Sequence, residues 1–81
     1  MSKNEQILLR EADEWAVRIP KGRWRHYKGR EYEVLGISLH SETLESMVVY
    51  RALYGEGRIW VRPAAMWLEP VGDGTRFTFV G

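Results

Sequence analysis

Between Ser2 and Ile19 the apolar residues Leu8, Ala12, Trp15, Ala16 and Ile19 recur at helical spacing, opposite Arg10, Asp13 and Glu14. That pattern predicts one amphipathic helix over residues 2–19 with a single stripe to bury. Ser2 followed by Glu5 has the spacing of a capping box, which satisfies backbone donors at the helix start. Pro20 and Gly22 end it. The stripe must cover the segment that follows, with Trp15 as the expected anchor.

From Arg23 the period changes to alternation. Trp24 to Lys28 reads as a strand, and Gly29 with Arg30 as a tight connection. Tyr32 and Val34 share one face of the next strand, and Ile37 and Leu39 share another set. The odd step between them slips the phase at Leu35-Gly36, which predicts a bend through a β-bulge. His40 to Thr43 is a polar connection. In the next run Met47, Val49, Arg51 and Leu53 oppose Val48, Tyr50, Ala52 and Tyr54, and Gly55-Glu56-Gly57 closes a hairpin. Arg58 to Arg62 follows, with Ile59 and Val61 expected inward and Arg58, Trp60 and Arg62 outward. Pro63 ends that ladder, Ala64 to Leu68 suit a single helical turn, and Gly72-Asp73-Gly74 leads to a closing strand with Phe77 and Phe79.

Five short strands, a bent second strand and a helical turn before the last predict a mainly β chain. The expected architecture is a small SH3-like five-stranded barrel over residues 22–80, with the amphipathic helix packed on it. An OB-type barrel is the alternative. It needs longer strands and a helix between the third and fourth, for which Gly55-Glu56-Gly57 leaves no room.

Composition narrows the chemistry. At 81 residues the chain makes one domain, near the lower limit of what one apolar core stabilises. It has no cysteine, so disulfides, thiolate metal sites and a cysteine nucleophile are absent. No stretch is apolar enough to span a bilayer, and Ile7-Leu8-Leu9 is too short for a secretory signal, so the expected location is cytoplasmic. The net charge of +1 demands no polyanionic partner. Its distribution is less even: Arg18, Lys21, Arg23, Arg25, Lys28 and Arg30 run without an intervening acid, after a leading segment rich in Glu and Asp.

Several blocks are also familiar as a series. Trp24-Arg25-His26-Tyr27-Lys28-Gly29, Tyr32, His40-Ser41-Glu42-Thr43, Val49-Tyr50-Arg51, Leu53-Tyr54 and Trp60-Val61-Arg62-Pro63 resemble the bacterial family of domain of unknown function 1653 over about Gly22 to Phe79. The resemblance implies a small single-domain cytoplasmic protein and supplies no reaction. It leaves the leading helix outside the pattern.

The candidate ligand-binding surface is Trp24, Arg25, His26 and Lys28 with Trp60 and Arg62. A large aromatic beside guanidinium groups stacks a ring and holds a phosphate or carboxylate. An anionic or aromatic small molecule, RNA or a peptide would each suit it, and a membrane would not. The competing reading places Trp24 or Trp60 in the core beneath the helix. A self-associating structural protein, a homodimer, is the second functional class. A small enzyme using His26 or His40 as acid or base is the third, although no nucleophile or phosphate loop accompanies them. His40, Glu42 and Glu45, with His26, lack the spacing of a metal site, and no cofactor is expected. Arg51, within an apolar row, either pairs with Glu33 or Glu45 or turns outward.

Overall fold

The fold is described from a computed structural model, over residues 2–81. Helix α1 spans Lys3–Arg18. Ser2 Oγ accepts the Glu5 N–H and a Glu5 carboxylate oxygen accepts the Ser2 N–H, each at 3.1 Å, completing the capping box. At the other end the Ile19 N–H donates to the Trp15 carbonyl at 2.7 Å. Trp15 packs against the core from a half-buried position, with the Arg18 guanidinium 4.5 Å over its ring. The deepest contact is Ile19, just past the helix, which is buried completely.

Strands β1 (Gly22–His26), β2 (Glu31–Leu39), β3 (Ser46–Ala52) and β4 (Ile59–Pro63) form an antiparallel meander. Helix α2 (Ala64–Trp67) and a two-residue hairpin, β5 (Pro70–Val71) with β6 (Gly74–Thr75), lead to β7 (Phe77–Phe79), which returns to pair with β1. The sheet order is β4-β3-β2-β1-β7. The register shift between Val34 and Gly36 is the bulge that the phase slip predicts. Strand β1 stops at His26, two residues early, because Gly29 at φ +106° lets its N–H turn back to the His26 carbonyl at 2.7 Å.

The expected barrel does not close. Strands β4 and β7 are the two edges of an open sheet, and no ladder joins them. Strand β7 has only three residues and β4 ends in Pro63, which has no N–H to donate. Trp67 of α2 and Phe77 fill the space between, stacked with centroids 3.6 Å apart and planes 2° apart.

The ladders also fix which way side chains point, since directly paired residues of antiparallel strands share a face. Trp24 pairs with Tyr32, Val34 with Tyr50, Tyr50 with Trp60 and Val48 with Arg62. Trp24, Val34, Val48 and Tyr50 are buried, so this is the inner face. Trp60 and Arg62 therefore lie on the inner side at its margin, and Ile59 and Val61 point outward, the reverse of the expected phase. A strand apolar on both faces gives alternation no sign.

Arg51 is on the outer face beside its ladder partner Glu33, with Nε 3.9 Å from a carboxylate oxygen and both side chains about half exposed. Such a pair contributes little, so Arg51→Ala should shift stability by less than ~0.5 kcal/mol, read as the urea midpoint.

Candidate functional site

The six candidate residues do not form one surface. Trp24 is core: its Nε1–H donates to the Pro20 carbonyl at 3.0 Å, and its ring meets the edges of Trp67 at 5.9 Å and Phe79 at 5.2 Å. A strand residue facing Tyr32 across the inner face has no route to solvent, which removes it from a ligand-binding role. Arg25 points to the outer face, where Nε and Nη2 both donate to Glu31 Oε2, at 3.1 and 2.9 Å. Arg23 reaches the other oxygen of the same carboxylate at 3.5 Å. Pairing across the ladder thus offsets part of the basic run that the linear sequence displays. Lys28 stands exposed on the turn, its Nζ 5.8 Å from the Tyr27 ring.

The remaining three belong with residues that the pattern of the chain did not single out. His26 meets the edge of Phe77 at 4.9 Å, and the Arg62 guanidinium carbon lies 5.5 Å from the same ring. Trp60 sits two residues before Arg62 on the inner side of β4, 53% exposed. Phe77, fully buried, is thus the ring against which β1 sets His26 and the edge strand β4 sets Arg62. Arg76, next to it, adds a second cation. Beyond Phe77 lies Tyr32, whose hydroxyl is 2.9 Å from that of Tyr54, with the Arg30 guanidinium 4.2 Å over the Tyr54 ring. Burial, then the bond to Tyr54, pushes the Tyr32 phenol up to about 12, whereas the bond to Tyr32 lowers that of Tyr54. Phe77 and Arg76 lie outside the basic run of the chain, in the last strand and its approach; only the ladder between His26 and Phe77 brings them in.

The electrostatics of this margin are one-sided. Arg62 has no carboxylate within salt-bridge distance among the described residues, and its Nε is buried without a hydrogen-bond partner. Arg76 holds Glu69 by Nη2 at 3.4 Å, and its Nε is likewise unpartnered. Burial, followed by the charges of Arg62, Arg76 and Lys28, lowers the His26 pKa from the ordinary value of 6.5. Its Nδ1 accepts the Lys28 N–H at 3.1 Å, which places the proton of the neutral ring on Nε2. Protonation would break that bond.

A pH dependence follows with a definite sign. Between the lowered folded pKa and the unfolded value near 6.5 the unfolded chain binds more protons, so stability falls as pH drops through that window. His26→Gln should flatten the dependence, measured as the urea midpoint at neutral and mildly acidic pH.

His40 lies elsewhere, in the β2–β3 connection. Its Nδ1 accepts the N–H groups of Glu42 at 3.1 Å and Thr43 at 3.3 Å, a turn-stabilising arrangement. Among the described residues no three His, Asp or Glu side chains converge as metal ligands. No helix of the described residues is long and apolar enough to cross a membrane.

These elements define a class: a mainly β protein built on one five-stranded antiparallel sheet, with an N-terminal helix and a cationic, aromatic margin on the inner face. The chain belongs to the family described as protein of unknown function (DUF1653), whose model matches residues 22–78 and so begins at β1, leaving α1 outside. Among solved structures it is similar to a DUF1653 protein from Bordetella bronchiseptica at 40% identity, with a TM-score of 0.68, covering 75% of this chain and 86% of that one. A search of curated proteins finds no match.

Proposed function

We propose that the protein is a non-catalytic binding module of the SH3-like kind, whose inner-face margin takes a ligand joining an anionic group to a planar or apolar one. The observation that carries this reading is Arg62: a half-buried guanidinium without a carboxylate partner among the described residues, with an unpartnered Nε, held over Phe77. A buried donor left unbonded costs free energy that a phosphate or carboxylate would recover. Trp60 supplies a half-exposed ring beside it, and His26 a neutral imidazole whose Nε2–H is a donor. The strand order and the helical turn before the last strand support the SH3-like comparison, with the seam between β4 and β7 left unpaired.

The test is backbone amide shift mapping with acetate, benzoate, uridine monophosphate and a short oligouridylate, at low and raised salt. Ligands with both a ring and an anion should perturb Trp60, Arg62, His26 and Phe77 more than acetate does. Shifts confined to Arg25, Lys28 or the outer face would overturn the reading.

A further inference from the structure

Strand β4 is paired on one side only. The Ala52 N–H donates to the Arg58 carbonyl at 3.0 Å, and the register continues through Tyr50–Trp60 and Val48–Arg62. Antiparallel ladders alternate, so Arg58, Trp60 and Arg62 spend their backbone groups on β3. Ile59 and Val61 therefore turn N–H and C=O to the open side, and Pro63 ends that edge. The side chains there are uncovered as well: Ile59 is 58%, Trp60 53% and Val61 59% exposed. Folded proteins usually blunt an edge strand with charge, a bulge or a covering element, and three consecutive exposed apolar residues are the opposite.

Charge selects what fits. A strand added beside β4 would set its own side chains against Arg58, Trp60 and Arg62 on the inner side and against Ile59 and Val61 on the outer. A second copy fits poorly. Pairing centred on Trp60, the register that uses Ile59 and Val61 fully, opposes Arg58 with Arg62 of the other molecule. Pairing centred on Val61 runs Pro63 into the ladder, where it has no N–H to give. Nucleic acid offers no strand backbone to Ile59 and Val61. We infer that β4 is the docking edge for an extended acidic segment of a partner protein, with acids opposite Arg58 and Arg62 and apolar residues between them. This inference rests on the reading of Arg62 as an anion receptor and adds the backbone that delivers the anion. Glu56 pairs with Arg58 at 2.8 Å, but both side chains are about three-quarters exposed, so a partner's carboxylate exchanges with it at small cost.

The probe is the blocked peptide Ac-Ser-Glu-Val-Phe-Val-Glu-Ser-NH2 added to the full chain. Two controls accompany it: the same peptide with Lys for both Glu, and the acidic peptide with both Val amides N-methylated. Binding of the acidic peptide should shift the Ile59 and Val61 amides downfield, slow their hydrogen exchange and weaken with salt. Both controls, and Arg62→Met with the original peptide, should lose affinity by about tenfold or more. Equal binding of the N-methylated peptide with shifts at Arg62 overturns strand addition and leaves the anion-binding margin standing. Binding of oligouridylate at Trp60 and Arg62 without binding of the peptide overturns the peptide in favour of nucleic acid. A concentration-dependent dimer that excludes the peptide overturns it in favour of self-pairing. No response at Arg62 to any probe removes both readings.

Discussion

Phe77→Ala should cost about 3–5 kcal/mol, the range for truncating a fully buried Phe. A chain of this size has roughly 4–12 kcal/mol to lose, so the variant should forfeit from about a quarter to all of its stability. The size of the effect follows from position. Phe77 is 1% exposed, stacked on Trp67, and meets the edges of His26, Tyr32 and Tyr50. It also closes an unlaced seam: where β4 and β7 are not hydrogen-bonded, the Phe77–Trp67 stack is what holds the two sides together. Phe77→Leu, which retains most of the apolar area, should cost less than half as much. Urea denaturation of both variants checks the order; equal losses would mean that the ring contacts, and not the apolar area that Leu retains, carry the contribution.

The second large effect has the opposite sign. Arg62→Met should raise stability by about 1 kcal/mol while removing ligand binding. Two terms compete. The unpartnered buried Nε costs about 1–3 kcal/mol. Against this, the guanidinium over Phe77 gains roughly 0.5–1 kcal/mol at a partly exposed site. The first outweighs the second, and Met retains the length of the stem that covers the ring. A residue that weakens the fold at rest and recovers that cost on binding is what a receptor site requires. Arg25→Met, by contrast, breaks an exposed pair with Glu31 and should change stability by only a few tenths of a kcal/mol, with no effect on binding.

Much of this architecture was legible in the chain because local physics writes it there. Ser2 and Glu5 cap the helix through their own side chains, Pro20 cannot continue it, and Gly36 marks the bend of β2 at the point where the inward phase slips. The faces of β1 and β4 were less legible for a physical reason. In Ile59-Trp60-Val61-Arg62 either phase buries something apolar, and only the pairing of Trp60 with Tyr50 decides between them. Trp24 illustrates the same limit: within a basic run it reads as a surface aromatic, yet its ladder to Tyr32 and Phe79 places it inside. Closure of the barrel depends on contact between β4 and β7, elements more than ten residues apart, and no local pattern reports it. The short hairpin of β5 and β6 shows only as a glycine turn. Of the candidate site, Trp60, Arg62 and His26 could be named from the chain. Phe77, the ring that joins them, could not, since its relation to His26 is a property of the β1–β7 ladder.

If Arg62 is held unpaired for a ligand rather than for the fold, its removal separates stability from binding. The direct measurement is a paired one on Arg62→Met: the urea midpoint, and amide shift mapping with benzoate and with the acidic peptide. A raised midpoint together with lost perturbations at Trp60, His26 and Phe77 is the predicted result. A lowered midpoint with ligand responses unchanged from the parent chain would contradict it, and would make Arg62 a structural cation.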